Sequence, residues 1–181
     1  MAKLIYGMMQ SLDGYVDGAE GKLTLPPPGP GLHQYWNEHM ARIAGAIYGR
    51  RMYELMAFWD GPEGDEAEPD FARAFRASPK WVVSRTLDKV GPNAELLGGD
   101  LQAEVERLKA SYEGEIEVAG PQLAASLTAL GLIDEYHLYL MPYVLGGGKP
   151  FFAGGAAPTG LELVATERLP EGVALVKYRR T

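Results

Sequence analysis

The chain has 181 residues, 46% of them apolar and 23% charged, with a formal charge of −7. That is ordinary globular composition, long enough to bury a core, and it reads as one domain over 1–181. The acidic balance argues against nucleic acid or an anionic membrane as partner, and the lack of cysteine removes disulfides, thiolate metal sites and cysteine nucleophiles. Three histidines leave little for a histidine-built metal centre, so no metal is expected. The start, MAKLIYGMMQSLDG, lacks the apolar segment and cleavage-like site of a signal peptide. No uncharged apolar run reaches the ~18 residues of a membrane span, so a cytoplasmic protein is expected.

Residues 4–9 predict a short strand that ends in SLDGYVDGAEGK, where two Asp-Gly pairs mark turns. LPPPGPG at 25–31 is excluded from helix and central strand by its prolines. Leu32, Tyr35 or Trp36, Met40 and Ile43 then recur at helical spacing. AIYG (46–49) reads as a buried strand, and RRMYELMAFW as a helix through Met52, Leu55, Met56 and Trp59. The acidic DGPEGDEAEPD reads as a solvated loop, FARAFRA as a short helix, and KWVVSRTL as a strand with a polar end. LQAEVERLKASY places Leu101, Val105 and Leu108 on one helix face. IEVAG is a strand, and PQLAASLTALGL a helix with Leu123, Leu127 and Leu130 in a stripe. Three strand-like runs follow with no helix between them: DEYHLYLMPYVLGGGKPFF, LELVATERL and VALVKYRR. This order predicts an α/β fold with a mixed, mostly parallel sheet, helices on both faces and antiparallel strands at the C-terminus.

In open α/β sheets ligands bind beyond the carboxyl ends of the parallel strands. Three such ends read Tyr48-Gly49-Arg50-Arg51, Val83-Ser84-Arg85-Thr86 and Ala119-Gly120-Pro121-Gln122. Arginine presents a planar fork of donors suited to phosphate, serine adds a hydroxyl, and a helix start adds backbone N–H groups. A dinucleotide with an extra ribose phosphate uses all of these. Taken singly, each arginine is also a candidate for solvation or a surface ion pair, and each glycine for a tight turn. No GxGxxG or Walker A pattern occurs.

The segments MMQSLDGYVDG, YGRRMYE, VVSRTL and EVAGPQLAASLTALGLIDEYHLYLMPYVLGGGKPFF occur in that order over almost the whole chain. Together they resemble the dihydrofolate reductase-like family, in particular the branch with the reductase domain of bacterial riboflavin biosynthesis. The resemblance implies a dihydrofolate reductase-like three-layer fold and NADPH as cofactor. It implies cofactor contacts at Gly49, Arg50, Arg51, Ser84, Arg85, Gly120, Gln122 and Leu123, with the loop from Ser11 to Gly14 closing on the nicotinamide. The implied activity is NADPH-dependent hydride transfer to a small pterin- or pyrimidine-like heterocycle. The alternative is a non-catalytic NADPH- or nucleotide-binding, ligand-sequestering module on the same fold.

On the substrate side, Asp13 and Asp17 border the expected pocket and are candidate proton donors, with turn roles beside Gly14 and Gly18 as the local alternative. His33, Tyr35, Trp36 and Tyr53 are candidates for an aromatic wall, against core packing for Trp36 and Tyr53. The carboxylate that true dihydrofolate reductases carry near the start of the first helix is missing from GLHQYW, which argues against folate as substrate. A substrate phosphate has only Lys22, Arg42 and Lys149 to meet it. VLGGGKPFF lacks the Ser or Thr and the following helix of a phosphate loop, and reads as a bend between strands. Both faces of 136–143 are apolar, which suits a homodimer through the C-terminal strands, the region where relatives pair.

Overall fold

A computed structural model describes residues 1–18, 24–154 and 160–181. Strand β1 (Lys3–Gln10) lies inside the sheet and buries Leu4, Ile5, Tyr6 and Gly7 in succession, as a strand covered on both faces must. After a turn and the short β2 (Tyr15–Asp17), α1 (Pro30–Arg42) crosses to β3 (Gly45–Gly49). α2 (Arg50–Met56) starts directly on the end of β3 and tightens into a 3-10 turn at Ala57–Asp60. Then come α3 (Pro62–Ala67), α4 (Pro69–Ala77), β4 (Lys80–Val83), β5 (Ala94–Leu97) and α5 (Leu101–Ser111). β6 (Glu115–Ala119), α6 (Pro121–Ala129), β7 (Glu135–Leu140), β8 (Lys149–Pro150), β9 (Leu161–Arg168) and β10 (Ala174–Arg180) complete the chain.

Eight strands form one sheet in the order β5-β4-β3-β6-β1-β7-β10-β9, and β2 pairs with β8 apart from it. Every pairing from β5 to β7 is parallel, whereas β10 runs antiparallel to both β7 and β9. Parallel neighbours need crossovers, and these carry the helices onto the faces. On one face, Val105 and Leu108 of α5 and Leu123 and Leu127 of α6 pack with Leu4, Tyr6, Ile47, Ile116 and Val118. On the other, Met40 of α1 and Phe71 and Phe75 of α4 pack with Tyr48 and Val82, and Leu32 of α1 with Tyr139 and Leu175. The fold class is therefore the expected one. No helix among the described residues is long and apolar enough to cross a membrane.

The prolines correct two expectations. Residues 25–31 do not stay outside helix: α1 begins at Pro30, where the missing N–H and the fixed φ suit a first helical position. The helix has no capping side chain at Gly29; instead Glu171, in the β9–β10 connection, accepts from the N–H groups of Gly31 and Leu32 at 3.0 and 2.9 Å. The acidic stretch at 60–70 is likewise not a solvated loop. Pro62 and Pro69 open α3 and α4, and Arg76 ties them back by donating to Asp65 at 2.6 Å and to the Trp59 carbonyl at 3.2 Å.

Two expected strands are shorter than their apolar runs. β4 stops at Val83 because the Ser84 hydroxyl oxygen accepts from the N–H groups of Thr86 and Leu87 at 3.1 and 3.0 Å, which turns the chain out of the sheet. The run 134–152 divides: β7 ends at Leu140, and only Lys149 and Pro150 are extended again, against β2. The bend between them uses positive φ at Gly146 (76°) and Gly148 (138°), and a Cβ at Gly148 would run into the Asp17 carbonyl. Gly148→Ala is therefore expected to break the β2–β8 pair at a cost of about 1–3 kcal/mol. Calorimetry should show a Tm lowered by about 2–4 °C per kcal/mol for a chain of this size. Gly98→Ala, where a Cβ meets nothing within 4 Å, should leave Tm unchanged.

Candidate functional site

The sheet register brings the three candidate strand ends together: Gly49 is level with Val83, and Tyr48 with Ala119. Neighbouring strands lie about 4.8 Å apart, so Ser84-Arg85, Gly49-Arg50 and Gly120-Pro121 leave one edge of the sheet side by side. α6 begins at Pro121 with no capping side chain and no acid in its first turn, so its first N–H groups face outward at the positive end of the helix dipole. Gly120 takes φ 111°, and a Cβ there would meet only Met52 Cβ, at 3.7 Å. A Cβ at Gly49 would meet only Leu123 Cβ, at 3.8 Å. The Gly120 N–H points at the Met8 sulfur at 3.3 Å, a weak acceptor that leaves this donor largely available.

The arginines divide into two kinds. Arg50 donates from Nε to Glu54 and from Nη1 to Thr86 Oγ1, both at 2.8 Å, and so bridges the ends of β3 and β4. Arg51 and Arg85 are exposed and hold no acid among the described residues. Ser84 Oγ already accepts two N–H groups and lies 3.5 Å from Thr86 Oγ1, so its own proton can turn to Thr86 or outward. Gln122 is exposed at the start of α6, whereas the Leu123 side chain is buried and offers a ligand only its backbone. Bare glycine backbone, an uncapped helix start and two unengaged guanidinium groups are what a phosphate-bearing ligand requires.

A second lining lies on the α1 face. Trp36, Met52, Met56 and Ala119 are each only partly covered there. Trp36 packs on Tyr139 with ring centroids 4.7 Å apart. His33 is half-buried, with Nε2 3.7 Å from Glu68 Oε1. Tyr53 is not a wall: it is buried, and its hydroxyl accepts the Gly91 N–H at 2.6 Å. Arg42 ends α1 just before β3 begins, at the amino edge of the strands and away from this lining. Lys149 stands opposite Asp17 in the β2–β8 pair, and Lys22 lies outside the described residues, so no basic substrate pocket is assembled among the described residues.

Asp13 corrects the expectation placed on it. The Ser11 hydroxyl and the N–H groups of Leu145 (3.0 Å) and Gly146 (2.7 Å) all donate to its carboxylate and hold its pKa below the usual range. A carboxylate so held is unsuited to proton donation; it latches the turn at 11–14 to the loop at 145–148. Ser11 is buried, with Oγ accepting the Tyr15 N–H at 3.0 Å, and Gly14 takes φ 88° in the same turn. Asp17 is half-buried in β2.

One pair escaped the sequence reading. Glu117 of β6 points beneath α1, where its Oε2 lies 2.8 Å from His39 Nε2, the two side chains being 14% and 8% exposed. Gly7 on β1 makes room for it, since a Cβ there would sit 2.7 Å from Glu117 Oε1. Burial works against a charged His39, but the charge and hydrogen bond of Glu117 outweigh it and raise the pKa above its ordinary value. A signal was present: Ile116 and Val118 fill one face, which leaves Glu115 and Glu117 on a face that a strand inside a parallel sheet must also cover.

Residues 2–175 match the RibD C-terminal domain. The chain belongs to the RibD C-terminal domain family. The uncharacterized protein YyaP of Bacillus subtilis (strain 168) is 27% identical to it over 180 residues, covering 97% of this chain and 94% of YyaP. A candidate riboflavin biosynthesis protein from Shewanella sp. PV-4 superposes with a TM-score of 0.75 at 24% identity, covering 100% of this chain and 99% of that one. Dihydrofolate reductase from Enterococcus faecalis, complexed with NADP(H) and RAB-propyl, superposes with a TM-score of 0.62 at 17% identity, covering 99% and 96%. These likenesses give the RibD C-terminal domain a dihydrofolate reductase-like fold.

In this RibD C-terminal domain the His39–Glu117 pair carries a signed pH dependence. A histidine whose folded pKa is raised contributes stability fully below its unfolded value and loses it as pH rises through the folded one. The stability difference between wild type and His39→Gln, from chemical denaturation, should be largest below pH 6.5 and shrink above it. His137, which burial pushes down against its hydrogen bond with Glu135, slopes the other way in both proteins and cancels in the difference.

Proposed function

We propose that this protein is an NADPH-dependent reductase that delivers hydride to a small pterin- or pyrimidine-like heterocycle. One observation carries the reading: an acidic chain leaves Arg51 and Arg85 unengaged among the described residues, beside the bare backbone of Gly49 and Gly120 and the uncapped start of α6. Membership of the RibD C-terminal domain family supports it, as does the shared fold with a reductase solved with NADP(H). Gly120, Gln122 and the backbone of Leu123 are assigned to the pyrophosphate. Ser84, Arg85 and Arg51 are assigned to the ribose phosphate, which favours NADPH over NADH, and Arg50 holds their strand ends in place. When bound, NADPH supplies the hydride. The turn at 11–14, latched through Asp13, borders the nicotinamide end and limits water. Trp36 and His33 face the heterocycle, and Asp17, not Asp13, is the acid assigned to proton supply. A cytoplasmic setting belongs to the same reading.

A non-catalytic module that binds NADPH and sequesters a ligand is favoured by one observation, the lack of any acid in the first turn of α1. Calorimetric titration separates cofactor use from none: NADPH should bind at least about tenfold tighter than NADH, and Arg85→Ala should remove about 1.5–3 kcal/mol of NADPH affinity, the worth of a hydrogen bond to a charged group. Equal affinity for the two, or binding of neither, overturns the reading. Single-turnover oxidation of NADPH by any of a panel of pterins and aminopyrimidines decides for the enzyme over the module.

We also infer a homodimer through the C-terminal strands. The Tyr139 face of β7 is covered by Tyr35 and Trp36 of α1. On the opposite face Leu138, Val176 and Tyr178 are only half-buried, and Leu163, level with Tyr178, is 53% exposed. Phe152, 52% exposed, extends this surface beside Tyr136. A second copy covers such a face with matching side chains. Sedimentation should find a dimer for wild type and a monomer for Leu163→Glu; a monomeric wild type refutes the contact.

A further inference from the structure

We propose that Glu117 is the polar floor of the substrate cleft, accepting a hydrogen bond from an N–H group on the edge of the bound heterocycle, with His39 as its positioning residue. The inference rests on the reading of the α1-face lining as the substrate site.

The carboxylate is half engaged. Its Oε2 meets His39, whereas Oε1 has no hydrogen bond among the described residues. Oε1 is also not sealed in: the enclosed side-chain atoms without a partner are Gln10 Nε2, Trp36 Nε1, Asn37 Oδ1, Asp60 Oδ1 and Ser78 Oγ. The Glu117 side chain keeps 14% of its surface exposed. Glu117 stands two residues before Ala119 on the same face of β6, about 6.6 Å below the rim by strand rise. Ala119, Trp36, Met52 and Met56 are all partly buried and pack against the same apolar cluster.

Gly7 supplies the second, independent observation. β1 is otherwise built of large residues, Leu4, Ile5, Tyr6, Met8 and Met9, yet the position beside Glu117 has no side chain. A Cβ there would press on Oε1 at 2.7 Å and meet Tyr139 Cε2 at 3.4 Å and His137 Cβ at 3.5 Å. Burial, reinforced by the charge of Glu117, pushes the Tyr48 and Tyr139 phenols up and keeps them neutral. Tyr35 is also pushed up by burial, and Tyr35 Oη lies 3.3 Å from Tyr139 Oη. Arg42 and Glu115 act on His39 with opposite sign, and Lys177 of β10 pairs with Glu167.

Stability alone does not account for the pair, because a buried ion pair contributes little beyond a well-packed apolar replacement. An ionised carboxylate only accepts, and it recognises the N–H edge of an amino-substituted ring while rejecting an edge of bare acceptors. His39 fixes the direction of Oε1 by holding Oε2. The substrate class is thus narrowed to heterocycles with a ring N–H or exocyclic amino group on the edge that enters first.

The test is calorimetric titration with 2,4-diamino-6-hydroxypyrimidine, with NADPH titrated separately into each protein. Wild type should bind both. Glu117→Gln, which keeps the side-chain shape, should weaken the pyrimidine tenfold or more and leave NADPH affinity unchanged. Gly7→Ala should do the same. His39→Gln should weaken the pyrimidine less and shift the pH midpoint of its binding, which a merely structural histidine does not do. The proposal is overturned if wild type binds NADPH but not the pyrimidine, or if Glu117→Gln binds the pyrimidine as wild type does. It is also overturned if Glu117→Gln loses both ligands, since the pair is then structural. Failure of wild type to bind either ligand removes the reductase reading itself, and this inference with it.

Discussion

Parallel pairing of β1 with β6 on one side and β7 on the other is the constraint on which the rest depends. Once these three strands run the same way, each connection must cross a face of the sheet, and all their carboxyl ends come to one edge. The crossovers then place α5 and α6 on one face and α1 and α4 on the other. Residues far apart in the chain, such as Gly49, Ser84 and Gly120, thereby share an edge, and the Arg50–Thr86 hydrogen bond ties two of these ends together. The antiparallel β10 and β9 add width but lie outside this logic, and one of their faces stays uncovered.

Much of this architecture was legible because its signals are local. Apolar runs broken by Gly49-Arg50, Ser84-Arg85 and Gly120-Pro121 mark strands that stop at a ligand-binding edge. The illegible parts depend on partners distant in the chain. β2 and β8 pair although each is too short to announce itself, and their closeness is enforced by Gly148 against Asp17. Pro30, within a run that its prolines exclude from helix, and Pro62 and Pro69, within a stretch that its charge marks as loop, are all helix starts, because proline is disruptive only where an N–H is needed. Tyr53 looked like a pocket residue until Gly91 was found on its hydroxyl. Glu117 was hidden for a different reason: an acid within a short strand reads as solvent-facing, and only the coverage of both faces shows that it is inside.

Charge is used sparingly and with separate duties. Arg50 is tied to Glu54 and Thr86, whereas its neighbours Arg51 and Arg85 are exposed and hold no acid among the described residues. Lys80 is a buried cation that donates a hydrogen bond to the Ser78 carbonyl at 3.2 Å and rests 4.4 Å from the Phe75 ring, with burial pushing its pKa down. The surface excess of acid is therefore interrupted at one edge, where two exposed arginines stand together.

The cap on α1 has a consequence for that geography. Glu171 comes from the far hairpin and occupies two N–H groups at the helix start, where the dipole would otherwise welcome an anion. The start of α1 therefore already holds its negative group, supplied by the chain itself. Glu171 thereby sets the start of α1 apart from the start of α6, which has no capping side chain.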